Sequence, residues 1–222
     1  MAKVISFATQ KGGVGKSTLL MLTASAVHNR TNKKVLVIDC DPQKSVKDIY
    51  ATEGADKEQS YDVISFNWKQ PRAEENFDKT LALAEKKYDA IFLDVPGRIE
   101  GKEIYFSVLV SDVVIVPVVA SVLDMRATIR FLKTLPMIKE MKEKQGYNFD
   151  VFGIVNKKDQ TVEHQKLKEL AGIGGMEFFY SPISNLVRYK RGISTVYDIT
   201  DPTIKDDEFN QYFDEFCTKC LF

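Results

Sequence analysis

Cysteine is scarce in this chain of 222 residues. Only Cys40, Cys217 and Cys220 are present, too few for the disulfide framework of a small secreted domain and in keeping with a reducing compartment. His28 and His164 stand alone, without the spacing of a zinc site. Excess charge is missing: 31 Lys and Arg balance 31 Asp and Glu. A global positive field is thereby excluded, so contact with nucleic acid or an acidic membrane must come from a local patch. No apolar run reaches the roughly 20 residues needed to cross a bilayer. The short run after Lys3, VISFA, leads into a glycine-rich loop and not a cleavage site, so no secretory signal is expected. Repeats, low-complexity tracts and Pro/Gly/Ser linkers are also absent. What remains is an ordinary globular composition, 44% apolar and 28% charged, long enough to bury a sizeable core. Residues 1–222 are expected to form a single domain, located in the cytoplasm.

Short apolar runs predict strands at 3–8, 34–39, 61–66, 89–94, 112–118, 149–155 and 176–180. Several are apolar throughout, as in strands buried on both faces of a parallel sheet. The segments between read as helices. Phe77, Leu81, Ala84 and Tyr88 recur at helical spacing in 73–88, and 124–145 is helical in pattern with Pro136 expected to kink or split it. In 207–221, Phe209, Tyr212, Phe213, Phe216 and Cys220 form one stripe. The alternation predicts an α/β fold, a doubly wound, mostly parallel sheet with helices on both faces. Ligands of such sheets bind at the carboxyl ends of the strands.

The strongest local signal lies there. TQKGGVGKST (9–18) follows the first strand and opens the first helix, the setting in which a glycine-rich match is meaningful. Gly12, Gly13 and Gly15 are expected to let backbone N–H groups turn toward phosphate oxygens, with Val14 between them. The helix start adds its positive end. Lys16 can reach the β- and γ-phosphates, Ser17 can ligate Mg²⁺, and Thr18 can bond a further phosphate oxygen. Two apolar strands then end in aspartate. In VLVIDCDPQ (35–43), Asp39 closes the strand and needs a cation or strong donors; a Mg²⁺-bound water is a natural partner. Asp41, two residues on, can orient an attacking water or cap the next helix. AIFLDVPG (90–97) places Asp94 in the outer Mg²⁺ shell.

The loop departs from the common pattern, with Gln10 where the first glycine belongs and a second lysine, Lys11, before Gly12. This form, KGGVGKS, resembles the signature of the ParA/MinD superfamily of deviant Walker A P-loop ATPases. The resemblance implies a P-loop NTPase fold, ATP and Mg²⁺ as cofactors, and slow, partner-stimulated hydrolysis. It also implies a role for Lys11 on a dimer partner's nucleotide. D-x-D-P-Q matches the family's switch I, in which the second aspartate, here Asp41, is catalytic with Lys16 and Lys11. VPG resembles switch II. SVLD (121–124) is similar to the S-P-L-D segment of short ParA proteins, with Val122 for proline. GIVNKKD (153–159) resembles the segment whose asparagine, here Asn156, reads the adenine edge. Its amide both donates and accepts, as that task requires. SPISNLVRYKRGISTVYDI (181–199) is similar to a late family segment, with Ser181 for isoleucine, and implies Pro182 beside the base. The likeness is close at the N-terminal motifs and loose after 157.

No N-terminal helix-turn-helix extension is expected, so the chain looks like the short ParA class. That class implies an ATP-dependent homodimer, non-specific duplex DNA, a small DNA-binding partition partner, and a place on the nucleoid. Arg188, Lys190 and Arg191 are the residues that would touch DNA; a solvated charged turn is the bland alternative. The rival reading is a positioning or membrane-associated regulator of the MinD type with a non-DNA cargo. A membrane helix needs a basic polar face, whereas the last helix offers Asp207, Glu208, Asp214 and Glu215 against Lys219. It is expected to dock on the sheet, with one of Cys217 and Cys220 in the core and no metal between them.

Overall fold

The computed structural model describes residues 1–53, 61–97, 101–158, 167, 169–184 and 206–221. Its strands are β1 (Lys3–Phe7), β2 (Val35–Asp39), β3 (Asp62–Ser65), β4 (Ala90–Asp94), β5 (Val113–Val118), β6 (Asp150–Lys158), β7 (Met176–Phe178) and β8 (Ile183–Ser184). They join one sheet in the order β3-β2-β4-β1-β5-β6-β7, with β8 also on β6, and every pairing is parallel. The helices are α1 (Lys16–Thr31), α2 (Ser45–Glu53), α3 (Ala73–Ala84), α4 (Lys102–Val110), α5 (Val122–Leu132), α6 (Leu135–Glu143) and α7 (Asp207–Phe216). The expected α/β architecture is thus the one found.

Alternation along the strands divides the core between the two faces. Val4, Leu36, Ile38, Ile91, Leu93, Val114 and Val116 pack with residues of α3, α4, α5 and α6. Ile5, Phe7, Val35, Val37, Phe92, Val113 and Ile115 pack with residues of α1, α2 and α7. Both faces are covered, which explains strands that read as unbroken apolar runs. At the β3 edge, Lys47 Nζ donates to the Val63 carbonyl at 2.9 Å and satisfies an acceptor that no strand takes.

The predicted boundaries shift where local chemistry intervenes. The 124–145 pattern divides into α5 and α6, and Pro136 lies in the first turn of α6, where its missing N–H is no loss. Pro117 interrupts no ladder, because β1 pairs β5 only as far as Ile115. The helix expected over 73–88 ends at Ala84. The strand β8 was not anticipated; two residues carry no readable period.

The last helix docks on the sheet, as its stripe predicts. Phe209, Tyr212, Phe213 and Phe216 are buried, and Tyr212 Oη lies 3.0 Å from Thr23 Oγ1 of α1. Arg30 sits over the Phe209 and Phe213 rings, 5.5 and 5.1 Å from their centroids. Two acidic residues of this helix act as clamps: Glu208 accepts from Ser184 N and Oγ, and Glu215 accepts from Tyr180 N. The chain continues as a π-helical turn, Cys217–Leu221, with Cys220 in the core and Cys217 half-buried. Phe216→Ala, at a fully buried ring stacked on Phe92 and Phe213, should lower stability by about 3–5 kcal/mol. Urea unfolding measures this. A loss below about 1 kcal/mol would mean that the helix contributes little to the core.

Candidate nucleotide site at the carboxyl ends of the strands

Strand register builds the site. β4 lies between β1 and β2, and Phe7, Asp94 and Asp39 are direct neighbours across the three strands. The loop after β1, the aspartate ending β4 and the aspartate ending β2 therefore share one edge. Ser17 Oγ donates to Asp94 Oδ2 at 2.7 Å, joining the start of α1 to the end of β4. The expected cluster of Lys16, Ser17, Asp39, Asp41 and Asp94 is brought together.

In the loop, Gly13 and Gly15 have φ of 78° and 90°, left-handed values that a side chain would make costly. Gly15 is the residue before α1, so the helix's unpaired N–H groups begin at the loop. Gly12 lies outside the left-handed region, and a Cβ there would meet no protein atom within 4 Å. Lys16 is only 8% exposed. Burial pushes its pKa down, while Asp94 and Asp41 pull it back up. Thr18 is half-buried on the first turn of α1.

The three aspartates are held differently. Asp39 is fully buried and accepts from the backbone N–H groups of Asp41, Val46 and Lys47 at 3.1, 3.0 and 3.0 Å. Burial raises its pKa, and these three donors work against the rise. The strong donors demanded by a charge at a strand end thus come from the loop after β2 and from the start of α2. The helix-capping role weighed for Asp41 falls to Asp39. Asp41 is half-buried and accepts from Gln43 N at 2.9 Å. Asp94 is 1% exposed and its pKa is pushed up to about 7 by burial. Ser17 and Lys16 lower it, and Asp39 and Asp41 raise it further.

Lys11 makes an ion pair with Asp124 Oδ1 of its own chain at 2.5 Å. Asp124 sits in the first turn of α5, which Ser121 caps by accepting from Asp124 N. Asn156 is buried and donates from Nδ2 to the Val14 carbonyl at 2.7 Å. Pro182 leads into β8, whose Ile183 pairs with Asn156, so the two residues expected beside a base lie together. Arg188, Lys190 and Arg191 fall outside the described residues.

Whether these residues fit a magnesium nucleotide can be judged from unmet bonding capacity. Thr9 Oγ1, Gln10 Oε1 and Asp94 Oδ1 are buried around the loop without a hydrogen-bond partner in the protein, a costly condition that a polar ligand relieves. Among the described residues, no group of three or more His, Cys, Asp or Glu side chains is placed to hold a metal by itself. Mg²⁺ keeps several waters and binds through few protein ligands plus phosphate, and the Ser17 hydroxyl held on Asp94 offers such a ligand. The residues fit.

Two segments marked by resemblance alone, SVLD and VPG, have contacts that the sequence did not reveal. Asp124 is the partner of Lys11; the only hint is the Ser121-x-x-Asp124 spacing, which marks a capped helix start and not an ion pair. Gly97 is the other. A Cβ there would lie 3.0 Å from Lys11 O, Gly12 N and Lys16 Nζ, so the VPG turn packs against the phosphate loop. Gly97→Ala should weaken nucleotide binding by about tenfold, since one surplus methyl against backbone costs about 1–3 kcal/mol. Calorimetric titration with ATP would reveal it, and wild-type affinity would show that the contact yields freely.

The fold resembles several solved structures. A plasmid partition protein from Borrelia burgdorferi is 21% identical, with 98% of this chain and 99% of that one covered and a TM-score of 0.67. The MinD cell division protein of Aquifex aeolicus is 22% identical, with 96% and 94% covered and a TM-score of 0.68. Cobyrinic acid a,c-diamide synthase from Mycobacterium smegmatis, solved with an ATP analogue and magnesium, is 17% identical, with 96% and 92% covered and a TM-score of 0.72. At these identities the likeness is one of fold. The family described as the CobQ/CobB/MinD/ParA nucleotide binding domain matches residues 5–191, most of the chain and all of the loop and carboxylates described above. This chain belongs to that family of nucleotide-binding P-loop proteins.

Proposed function

We propose that residues 1–222 form one ParA-type ATPase domain that partitions plasmid or chromosomal DNA. ATP binding forms a homodimer, the dimer holds duplex DNA without sequence preference, and a small DNA-binding partner stimulates hydrolysis and release. The observation that carries this reading is KGGVGKS opening α1 with Asp39, Asp41 and Asp94 gathered beside it.

Each side chain has a task in this reading. The loop from Lys11 to Thr18 cradles the phosphates, and Lys16 places its ammonium on the β/γ oxygens. Ser17, with Asp94 and Asp39 behind it, holds Mg²⁺. When bound, the ion supplies positive charge against the triphosphate. Asp41, half-buried beside Lys16, orients the attacking water. Asn156 and Pro182 flank the base. Lys11 leaves Asp124 to reach the partner's nucleotide. A partly exposed ion pair contributes about 1 kcal/mol or less, so its release is cheap against dimer formation.

The burial of α7 favours this reading over a membrane-associated one. Its apolar stripe faces the core and is not available to a bilayer, and no helix among the described residues is long and apolar enough to cross one. We place the protein in the cytoplasm, on the nucleoid when dimeric.

DNA binding tests the proposal. In mobility shifts, wild-type protein with ATP should retard duplex DNA of arbitrary sequence, and with ADP much less. Binding should fall steeply with salt, because each neutralised phosphate adds a salt-sensitive increment. Asp41→Ala should keep ATP-dependent DNA binding while turnover drops at least about 100-fold. Replacing Arg188 and Arg191 by Glu should abolish DNA binding but spare ATP-driven dimerisation. An ATP dimer indifferent to DNA at low salt would exclude the partition role.

A further inference from the structure

Asn156 is attached to the phosphate loop. Its Nδ2 donates to the Val14 carbonyl at 2.7 Å, across 142 positions of sequence. Both ends of this bond are buried, Asn156 at 7% and Val14 at 4% exposure. The strand ends explain how the side chain gets there. β1 pairs β5 only to Ile115, and β5 pairs β6 only to Val155, opposite Val118. Asn156 is the next residue of β6, past the end of β5, and its backbone is paired by Ile183 of β8. Its amide therefore crosses the end of β5 to reach the loop that follows β1.

The acceptor is the telling part. Val14 lies between Gly13 and Gly15, both with left-handed φ. Glycines on either side leave the intervening peptide planes free to turn, so the loop's own backbone fixes them weakly. A trans peptide is planar, and its C=O and N–H point in opposite directions. Holding the Val14 carbonyl toward Asn156 therefore turns the Gly15 N–H the other way. In the nucleotide reading, Gly15 N–H is one of the donors to phosphate, at the start of α1.

We propose that Asn156 is a positioning residue for the phosphate loop: its amide fixes the Val14–Gly15 peptide plane and so aims the Gly15 N–H at phosphate. This rests on the nucleotide reading but differs from a contact with the base. An amide donating to Val14 still has its oxygen to accept from an amino group, so one side chain can serve both ends of a nucleotide. Base and phosphate recognition would then be coupled through a single residue. The consequence is that Asn156 matters for ligands that have no base.

Inorganic tripolyphosphate with Mg²⁺ is the probe. Asn156→Asp keeps the shape but sets an acceptor against the Val14 carbonyl, and Asn156→Ser keeps a donor on a shorter side chain. By calorimetry, Asn156→Asp should lose at least about tenfold in affinity for tripolyphosphate as well as for ATP, and Asn156→Ser should lose less of both. Spectroscopy provides a second readout. Val14–Gly15 is the only Val-Gly pair in the chain, so ¹³C-carbonyl valine with ¹⁵N-glycine labelling isolates the Gly15 amide as one resonance. Without ligand, that resonance should move in Asn156→Asp relative to wild type while thermal stability remains close, an effect that general loosening would not produce. Loss of ATP affinity with tripolyphosphate binding unchanged would overturn the proposal, leaving Asn156 a base contact only. So would a Gly15 resonance that overlays wild type in both variants. If wild-type protein bound neither ATP nor tripolyphosphate, the nucleotide reading itself would fall.

Discussion

The site depends on one register: Phe7, Asp94 and Asp39 stand side by side on β1, β4 and β2. A shift of one residue in either pairing would turn an aspartate to the opposite face of the sheet and expose part of the apolar core. The register is held by burial on both faces, since Ile38 and Leu93, the residues just before the two aspartates, are themselves fully buried. Core packing and site geometry are thus two results of the same alignment.

Electrostatics then decides how the aspartates are used. Three carboxylates and one ammonium share a small volume where burial opposes charge. Asp39 is satisfied by three N–H groups from its own loop and from α2, which makes it a fixed part of the frame. Asp94 has one oxygen on Ser17 and the other without a partner, and burial pushes its pKa up to about 7. Asp41 remains half-buried in its turn, the least constrained of the three. The graded arrangement fits frame, metal support and water orientation in the proposed ATPase, and it comes from the neighbours of each carboxylate, not from its type.

Much of this was legible in the sequence. The phosphate loop was readable because a glycine-rich string between a strand and a helix has few other uses. The strands were readable because a doubly covered sheet leaves them apolar throughout, and Phe209, Tyr212, Phe213 and Phe216 announced a docked helix by their spacing. The parts that escaped depend on where distant residues meet. Asp124 carries no local mark that Lys11 will reach it. Gly97 is required by close packing against Lys11, Gly12 and Lys16, not by a turn type. Asn156 was readable as an amide near a base, but its bond to Val14 depends on how far β5 extends. Glu208 and Glu215 were legible only as acidic residues on the polar side of the last helix; that they accept from N–H groups of the chain near β8 depends on how that helix docks.

In the proposed ATPase everything turns on the loop holding a nucleoside triphosphate through the buried Lys16. Calorimetric titration of wild-type protein and Lys16→Ala with ATP and Mg²⁺ measures this hold. Saturable binding to the wild type is expected, with a loss of at least about 100-fold in the variant, since a desolvated charge pair is worth roughly 3 kcal/mol or more. Equal affinity in the two proteins would mean that Lys16 does not hold the triphosphate.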